Sequence, residues 1–368
     1  MRLRSLFRLS ALCLLAGAAL FAIVAENQKH PLARYKHLTN ILIPGGLTGF
    51  DISWVDSANA RYYLADSGNA NATPSVPPRI DVIDTEHDQY LTSVDLPSAP
   101  HGVLAIPRAH ELWAGLTDSS VAIIDTDTYM APTQFVSTGG QKRADELAYD
   151  PVDHVILIAN DQDNPPFVSF ISQQDQTVLK RLNYDGIMAP QATGGIEQPV
   201  WDGPAGKFYL SIPSTSTNAN GEVDEIDPAE MTVTREFPTT CHPAGLALIP
   251  GQHLITSCGD VIDVATGNVL ASIRGVAGDE IWFNPGDERV YFASGISVYV
   301  VNAVTNLPVT TLTVGQILTP PPSHTTHSVA ADADNNHIYV PVTGVGVEVW
   351  TGHPPSTTLT GAGTDSSK

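Results

Sequence analysis

The chain has little positive charge and few of the motifs that identify common enzymes. It has 18 Lys and Arg residues and 39 Asp and Glu residues, which gives a formal net charge of −21. Such a surface repels the phosphates of nucleic acids and anionic membranes, so we expect neither as a partner. The sequence lacks G-x-S-x-G, P-loop, G-x-G-x-x-G, H-E-x-x-H and C-x-x-C-H motifs. Nucleophilic serine chemistry, nucleotide binding and c-type haem therefore have no support.

Long apolar runs are also absent, except for one at the N-terminus. The opening "MRLRSLFRLS" carries three arginines and is followed by the apolar "ALCLLAGAALFAIVA". This pattern predicts a signal peptide over residues 1–25 and a periplasmic or secreted protein. An uncleaved anchor is the alternative, because the run is close to the shortest length that spans a bilayer. Cleavage would remove three arginines and no acid, leaving a net charge of −24.

Cysteine is scarce as well, with three residues in the chain. Cys241 and Cys258 flank "HPAGLALIPGQHLITS", a stretch typical of one hairpin, so we expect their side chains to come close. An exported location permits a disulfide between them. Two separate buried thiols are the alternative.

The rest of the chain is built from repeats rich in Val, Ile, Thr and Tyr and separated by Gly and Pro, with no helical periodicity. Each repeat has an apolar strand, a turn, a second and third strand, and a weaker fourth. Compare "HGVLAIPRAHELWAGLTDSSVAIIDTDT" with "HPAGLALIPGQHLITSCGDVIDVATGN". Seven such units predict an all-β fold, a seven-bladed β-propeller, because each blade buries its faces only against its neighbours.

The domain boundaries follow from this repeat pattern. We expect a single propeller over residues 26–352, acting as a monomer, and a disordered tail over residues 353–368, which are rich in Ser, Thr, Pro and Gly. The last unit shows only three strands. The segment "HLTNILIP" (37–44) can supply its fourth strand, which would close the ring and remove an exposed sheet edge.

Several stretches resemble a known repeat family. "SSVAIIDTDTYMAPTQFV" and "ISVYVVNAVTNLPVTTLTVG" resemble the YVTN-type repeat, and "PHGVLAIP" and "PAGLALIP" resemble its P-x-G opening. In four blades acids replace that opening. The relatives of this family include lactonase-like and streptogramin-lyase-like propellers, and the resemblance implies a seven-bladed propeller.

The residues at the start of the first strands form the candidate site. We call them the leading residues: Asp51, His101, Asp145, Glu197, Ala244, Asp279 and His327. Six of the seven are ionisable, and the blade that begins with Ala244 carries His242 two residues earlier, on the same face of an extended strand. In a propeller the first strands line the central channel, so these side chains should share one end of it.

Carboxylates and imidazoles that lie close together raise one another's pKa or recruit a cation. A mixed set suits Zn²⁺, Mn²⁺ or Fe²⁺, and carboxylates with water suit Ca²⁺ or Mg²⁺. The sequence thus predicts a divalent metal site and no other cofactor, with His101, His327, Asp145 and Glu197 first and His242, Asp51, Asp279, Glu146 and Glu280 after them. A channel whose polar lining is simply solvated is the alternative.

Other features favour structural roles. Trp54, Trp113, Trp201 and Trp282 lie on first or second strands, so we expect them to pack between blades. Arg143 beside Asp145 is expected to form a surface ion pair, and Asp/Asn stretches such as "NDQDNPP" are expected to be turns.

Two functions fit these features. The first is an exported binding or scaffold protein that takes a protein or small-molecule ligand on its end face and central channel. The alternative is a metal-dependent lactonase-like or lyase-like enzyme at the channel mouth, in which a bound metal polarises a carbonyl or activates water.

Overall fold

The structure, a computed structural model, describes residues 34–315 and 325–353. The predicted signal peptide and all of the predicted tail after His353 lie outside these residues. The contacts between residues divide the chain into a unit Lys36–Thr351 and a unit formed by Met1–Tyr35 and Gly352–Lys368. Only four residues of the second unit, at positions 34, 35, 352 and 353, are described, and they form the ends of two strands. All other strands belong to the first unit.

The described chain is an all-β protein made of seven four-stranded sheets. In six of these sheets the strands pair antiparallel in chain order, and in the seventh the N-terminal strand joins the last three strands. The strands of the first three sheets are β2 Phe50–Asp56, β3 Arg61–Asp66, β4 Arg79–Asp84, β5 Gln89–Asp95; β6 Pro100–Ile106, β7 Glu111–Leu116, β8 Ser120–Asp125, β9 Gln134–Ser137; and β10 Leu147–Asp150, β11 Val155–Asn160, β12 Phe167–Ser172, β13 Thr177–Asn183.

The next three sheets repeat the same order. Their strands are β14 Pro199–Asp202, β15 Lys207–Ile212, β16 Glu222–Asp227, β17 Thr232–Pro238; β18 Leu246–Ile249, β19 His253–Thr256, β20 Asp260–Asp263, β21 Val269–Ser272; and β22 Ile281–Asn284, β23 Arg289–Ser294, β24 Ser297–Asn302, β25 Leu307–Thr313. The helices among the described residues are two short 3₁₀ turns, Ser57–Asn59 and Pro107–Ala109, and no helix there is long and apolar enough to cross a membrane.

The seventh sheet contains both ends of the described chain. Its strand order is β1 Arg34–Ile41, β28 Gly346–His353, β27 His337–Val342 and β26 Ala330–Ala331. The N-terminal strand is therefore the outer strand of the last blade, as the sequence predicts, although it begins three residues earlier than expected. This pairing covers an edge that β28 would otherwise expose.

The first strands form a closed ring. Each of β2, β6, β10, β14, β18 and β22 contacts the first strand of the next sheet, and β26 contacts β2. The fold is thus a seven-bladed β-propeller, which confirms the predicted fold class. Because all seven first strands surround one axis, residues at their starts lie at one end of a common channel.

Burial explains why the sheets form a ring. The inner and middle strands are covered on both faces, and β11 and β12 are buried along their whole length. The outer strands are more exposed, and β5 and β13 each have one buried residue. Apolar clusters fill the spaces between successive blades, so a blade removed from the ring would expose both of its faces.

Close approach of neighbouring first strands depends on two glycines. A Cβ atom at Gly102 would lie 2.1 Å from the carbonyl oxygen of Asp145, and one at Gly245 would lie 2.3 Å from the carbonyl oxygen of Asp279. Real Cβ atoms do not approach oxygen this closely. These are the glycines of the two P-x-G openings, and each lets the next blade's leading acid approach the axis.

The disulfide expected between Cys241 and Cys258 is present, with Cα atoms 6.0 Å apart. It links the turn before β18 to the loop after β19, and it encloses the hairpin of the fifth blade. Next to it, the backbone N–H of Thr240 donates a hydrogen bond to Asp260 at 2.6 Å. The bridge therefore fixes the start of a first strand close to the channel end.

Loss of this bridge should lower stability. The disulfide closes a loop with a sequence separation of 17, and cross-links of this length stabilise proteins by about 3 kcal/mol, largely through the unfolded chain. We expect Cys241→Ser/Cys258→Ser to lower the free energy of unfolding by about that amount in urea titrations, and reduced wild-type protein to match it. Equal unfolding midpoints for oxidised wild type and the serine variant would contradict this expectation.

Candidate functional site

The site lies at the channel end where the first strands begin. Asp51 and His101 lie within β2 and β6, whereas Asp145, Glu197 and Asp279 each precede their first strand by two residues. We use the name axial cluster for the charged and imidazole side chains that interact at this end: Asp51, His101, Arg143, Asp145, Asp161, Glu197, Asp279 and His327.

Arg143 lies at the centre of the axial cluster and contacts three carboxylates. Its guanidinium is 2.7 Å from Asp145 Oδ2, 2.9 Å from Asp161 Oδ2 and 3.1 Å from Asp51 Oδ2. The Nε–H also donates to Asp161 Oδ1 at 3.0 Å. The planar fork of arginine suits such multiple contacts. The expected ion pair with Asp145 is therefore present, but it is not a simple surface pair, because the arginine joins the first and third blades within the site.

Two histidines bind the same aspartate from either side. His101 Nδ1 lies 2.6 Å from Asp51 Oδ2, and its Nε2 lies 2.9 Å from Thr117 Oγ1. His327 Nε2 lies 3.6 Å from Asp51 Oδ1, and its ring stacks on Phe50 with centroids 4.7 Å apart. Asp51 is thus the acceptor that joins the second and seventh blades through their leading residues.

These contacts favour the deprotonated form of Asp51 and the protonated form of His327. Burial alone would raise the pKa of Asp51, but hydrogen bonds from His101 and His327 and the charge of Arg143 hold it well below its usual range. Burial also opposes the charged form of His327, yet the hydrogen bond to Asp51 raises the pKa of that imidazole above its usual value. Asp51 is therefore the stable anion of the cluster, with His327 as its cationic neighbour.

The negative charge of the other acids is only partly offset by neighbouring cations. Burial and the charge of Asp51 raise the pKa of Asp145 well above its usual range despite Arg143. Burial and the charges of Asp161 and Asp279 raise the pKa of Glu197 to about 8. Burial likewise raises the pKa of Asp279. One guanidinium cannot neutralise this many carboxylates, so the cluster holds protons near neutral pH or attracts a cation.

Part of the cluster could bind a metal. Ligand atoms of Asp51, His101 and Asp145 all lie within 4.8 Å of one another, and imidazole with carboxylate is a donor set for Zn²⁺, Mn²⁺ or Fe²⁺. Asp145 Oδ1 is buried and without a hydrogen-bond partner, so it has a free lone pair. The fit is partial, because Arg143 already places positive charge between Asp51 and Asp145, and a divalent ion there would face the guanidinium.

Not every predicted residue joins the cluster. His242 is exposed, and its Nδ1 hydrogen-bonds to the carbonyl of Pro213 at 2.9 Å. Ala244 has no ionisable group. Sequence reasoning gave Arg143 and Asp161 other roles, because Arg143 precedes a leading residue and Asp161 follows β11 in the "NDQDNPP" stretch. The position of Arg143, two residues before the leading Asp145, is the feature of the sequence that indicates its place in the cluster.

Beyond the leading residues the channel widens into an apolar cavity of about 410 Å³. Glu146 and Glu280, which follow two of the leading acids, lie at its inner end. Trp54, Trp201 and Trp282 line its walls. All four tryptophans pack against the apolar clusters between blades, as expected, and Trp113 is completely buried there.

Comparisons with known proteins do not assign a family. No family model matches the chain, and a search of the curated proteins finds no match. The seven-bladed fold is shown by the structure itself, and the YVTN resemblance remains a resemblance.

Loss of Arg143 should destabilise the protein in a pH-dependent way. Arg143→Gln leaves Asp51, Asp145 and Asp161 without their cation, and breaking such a buried network costs roughly 3 kcal/mol. We expect the loss in the free energy of unfolding to be large at pH 8 and smaller at pH 5, where carboxyls can take up protons. Urea titrations at both pH values provide the measurement.

Arg61→Gln is the matched control. Arg61 pairs with one carboxylate, Asp84, at 3.4 Å, and both side chains are partly exposed. Such a pair contributes up to about 1 kcal/mol. Equal losses for Arg61→Gln and Arg143→Gln would show that Arg143 is not the central cation of the axial cluster.

The raised pKa of Glu197, about 8 against an ordinary value of 4.5, predicts falling stability as pH rises. Between these two values the folded protein binds more protons than the unfolded chain, so the free energy of unfolding decreases from pH 5 to pH 8. Glu197→Gln cannot lose a proton. We expect it to be more stable than wild type at pH 8, by about 1–3 kcal/mol, with little difference at pH 4.

Unfolding midpoints of both proteins across this pH range test the expectation. Glu230→Gln removes an exposed acid and should leave the pH profile unchanged. A wild-type protein that becomes more stable towards pH 8, or a Glu197→Gln profile parallel to wild type, would contradict the assignment.

Proposed function

We propose that the protein is an exported binding protein whose axial cluster receives a positively charged group of a small ligand. The observation that carries this proposal is the imbalance at the axis. Five acids, Asp51, Asp145, Asp161, Glu197 and Asp279, share the axis with one arginine and with His327, the cationic neighbour of Asp51. A ligand cation would replace protons on these acids, and its N–H group would donate a hydrogen bond to Asp145 Oδ1.

Access and polarity support this assignment. The His327 side chain is 36% exposed, and those of Asp51 and Arg143 are 21% and 22% exposed. Thr117, which contacts His101, is exposed. A ligand can therefore reach the cluster from solvent, and the net charge of the chain favours the approach of cations.

The metal-dependent lactonase-like or lyase-like enzyme is less well supported. Such an enzyme needs a divalent ion with a free coordination position. In the only triad of suitable donors within the described ranges, Arg143 contacts all three members. The donors that would hold the ion are thus engaged by a resident cation, which favours binding over catalysis.

Export is part of the proposal and has two supports. The first is the arginine-rich and apolar N-terminal sequence, which is typical of a signal peptide. The second is the Cys241–Cys258 disulfide, a bond that persists in oxidising compartments.

Titration with spermidine, a hydrophilic organic cation, tests the proposal. We expect saturable binding by calorimetry, and we expect Glu197→Gln/Asp279→Asn to weaken it at least tenfold because both acids belong to the axial cluster. Glu230→Gln/Glu288→Gln removes two exposed acids and serves as the charge-matched control. Equal weakening by both pairs would indicate diffuse attraction and would overturn the assigned site.

Metal analysis separates the binding protein from the enzyme. For a binding protein we expect EDTA to leave the unfolding midpoint unchanged. Stoichiometric Zn, Mn, Fe or Ca in protein purified without chelator, lost in His101→Ala/His327→Ala, would instead support the metal-dependent enzyme.

A further inference from the structure

The apolar cavity is a second candidate site. It lies along the first strands, past the leading residues, and the axial cluster lies at the strand starts. Its walls come from the first strands of the blades, and its volume of about 410 Å³ lies within the range of small-molecule pockets, roughly 300–1,000 Å³. Pro151 and Pro250, which line its outer end, are exposed. The cavity is therefore open to solvent at the end opposite to the axial cluster.

The cavity has one pair of carboxylic acids among its lining residues, Glu146 and Glu280. Both are more than nine-tenths buried. They belong to the third and sixth blades, which face each other across the ring, and each carboxyl group lies close enough to affect the protonation of the other. The pair thus spans the axis and forms the inner end of the cavity.

The propeller does not require acids at this level. The residue after the leading residue is Ile52, Gly102, Gln198, Gly245 or Ser328 in the other five blades. These side chains are small or uncharged. Two carboxyl groups buried at the end of an apolar cavity reduce stability, so Glu146 and Glu280 are exceptions that the fold itself does not explain.

The surroundings of the pair call for a cation. Burial and neighbouring acids, among them Asp145 and Asp279, raise the pKa of both Glu146 and Glu280 well above the usual range. Three tryptophans, Trp54, Trp201 and Trp282, line the walls, and the rings of Trp54 and Trp282 pack edge-to-face with centroids 5.2 Å apart. Indole rings bind apolar groups and also attract cations through their π faces.

We propose that the cavity binds a hydrophobic amine. Its ammonium group hydrogen-bonds to Glu146 and Glu280, and its apolar body lies against the tryptophans. An apolar anion is excluded, because it would meet the carboxyl pair and the acids behind it.

The test compares three probes of similar shape: phenethylamine, phenethyl alcohol and phenylacetate. By calorimetry at pH 7 we expect wild-type protein to bind the amine at least tenfold more tightly than the alcohol, and phenylacetate more weakly than either. In Glu146→Gln/Glu280→Gln we expect the preference for the amine to disappear while the alcohol still binds. Retained alcohol binding shows that this variant has kept its cavity.

Two controls locate the effect. Glu230→Gln/Glu288→Gln removes the same charge from the surface and should keep the preference. Glu197→Gln/Asp279→Asn alters the axial cluster and should reduce spermidine binding far more than phenethylamine binding. Failure of the spermidine experiment alone overturns the axial proposal, whereas failure of the amine series alone overturns this one.

The proposal stays testable if the double variant does not fold, because the comparison of the three probes uses wild-type protein. Equal affinities for amine and alcohol in wild-type protein, or an amine preference that survives in Glu146→Gln/Glu280→Gln, would overturn the cavity assignment.

Discussion

The guanidinium of Arg143 holds together carboxylates that would otherwise repel one another at the axis. It contacts Asp145 and Asp161 of the third blade and Asp51 of the first. Asp51 in turn accepts contacts from His101 and His327. Four blades are thereby connected through one aspartate and one arginine. Since a ring of seven sheets brings their leading residues together whatever their charge, this network is what makes the acidic end compatible with folding.

The backbone imposes a second constraint on the same end. Gly102 and Gly245 lie against the carbonyl oxygens of Asp145 and Asp279, so a larger residue would push the third and sixth blades away from the axis. The P-x-G opening of one blade and the acid of the next are therefore complementary features. The missing side chain of the glycine leaves space next to its first strand. The backbone of the leading acid in the next blade occupies that space.

Much of the fold and part of the site could be predicted from the sequence, because both depend on local patterns. Short apolar strands between turns specify the blades, and the ring then follows from the need to bury both faces of each sheet. The roles of Arg143 and Asp161 could not be predicted, since they depend on how long side chains reach across the axis. His242 shows the limit of the alternation rule. That rule holds within strands, and His242 lies four residues before β18 begins.

The distribution of charge along the channel distinguishes a functional surface from an accidental one. At the axial cluster, cations offset part of the negative charge, and the network can be explained as structural support. At Glu146 and Glu280 the strongest neighbouring charges are acids, and the lining beyond them is apolar. A buried carboxyl pair contributes nothing to blade packing that the glycine, serine or isoleucine of other blades does not provide. Its retention is best explained by an occupant that brings the missing positive charge and enough apolar surface to cover the tryptophans.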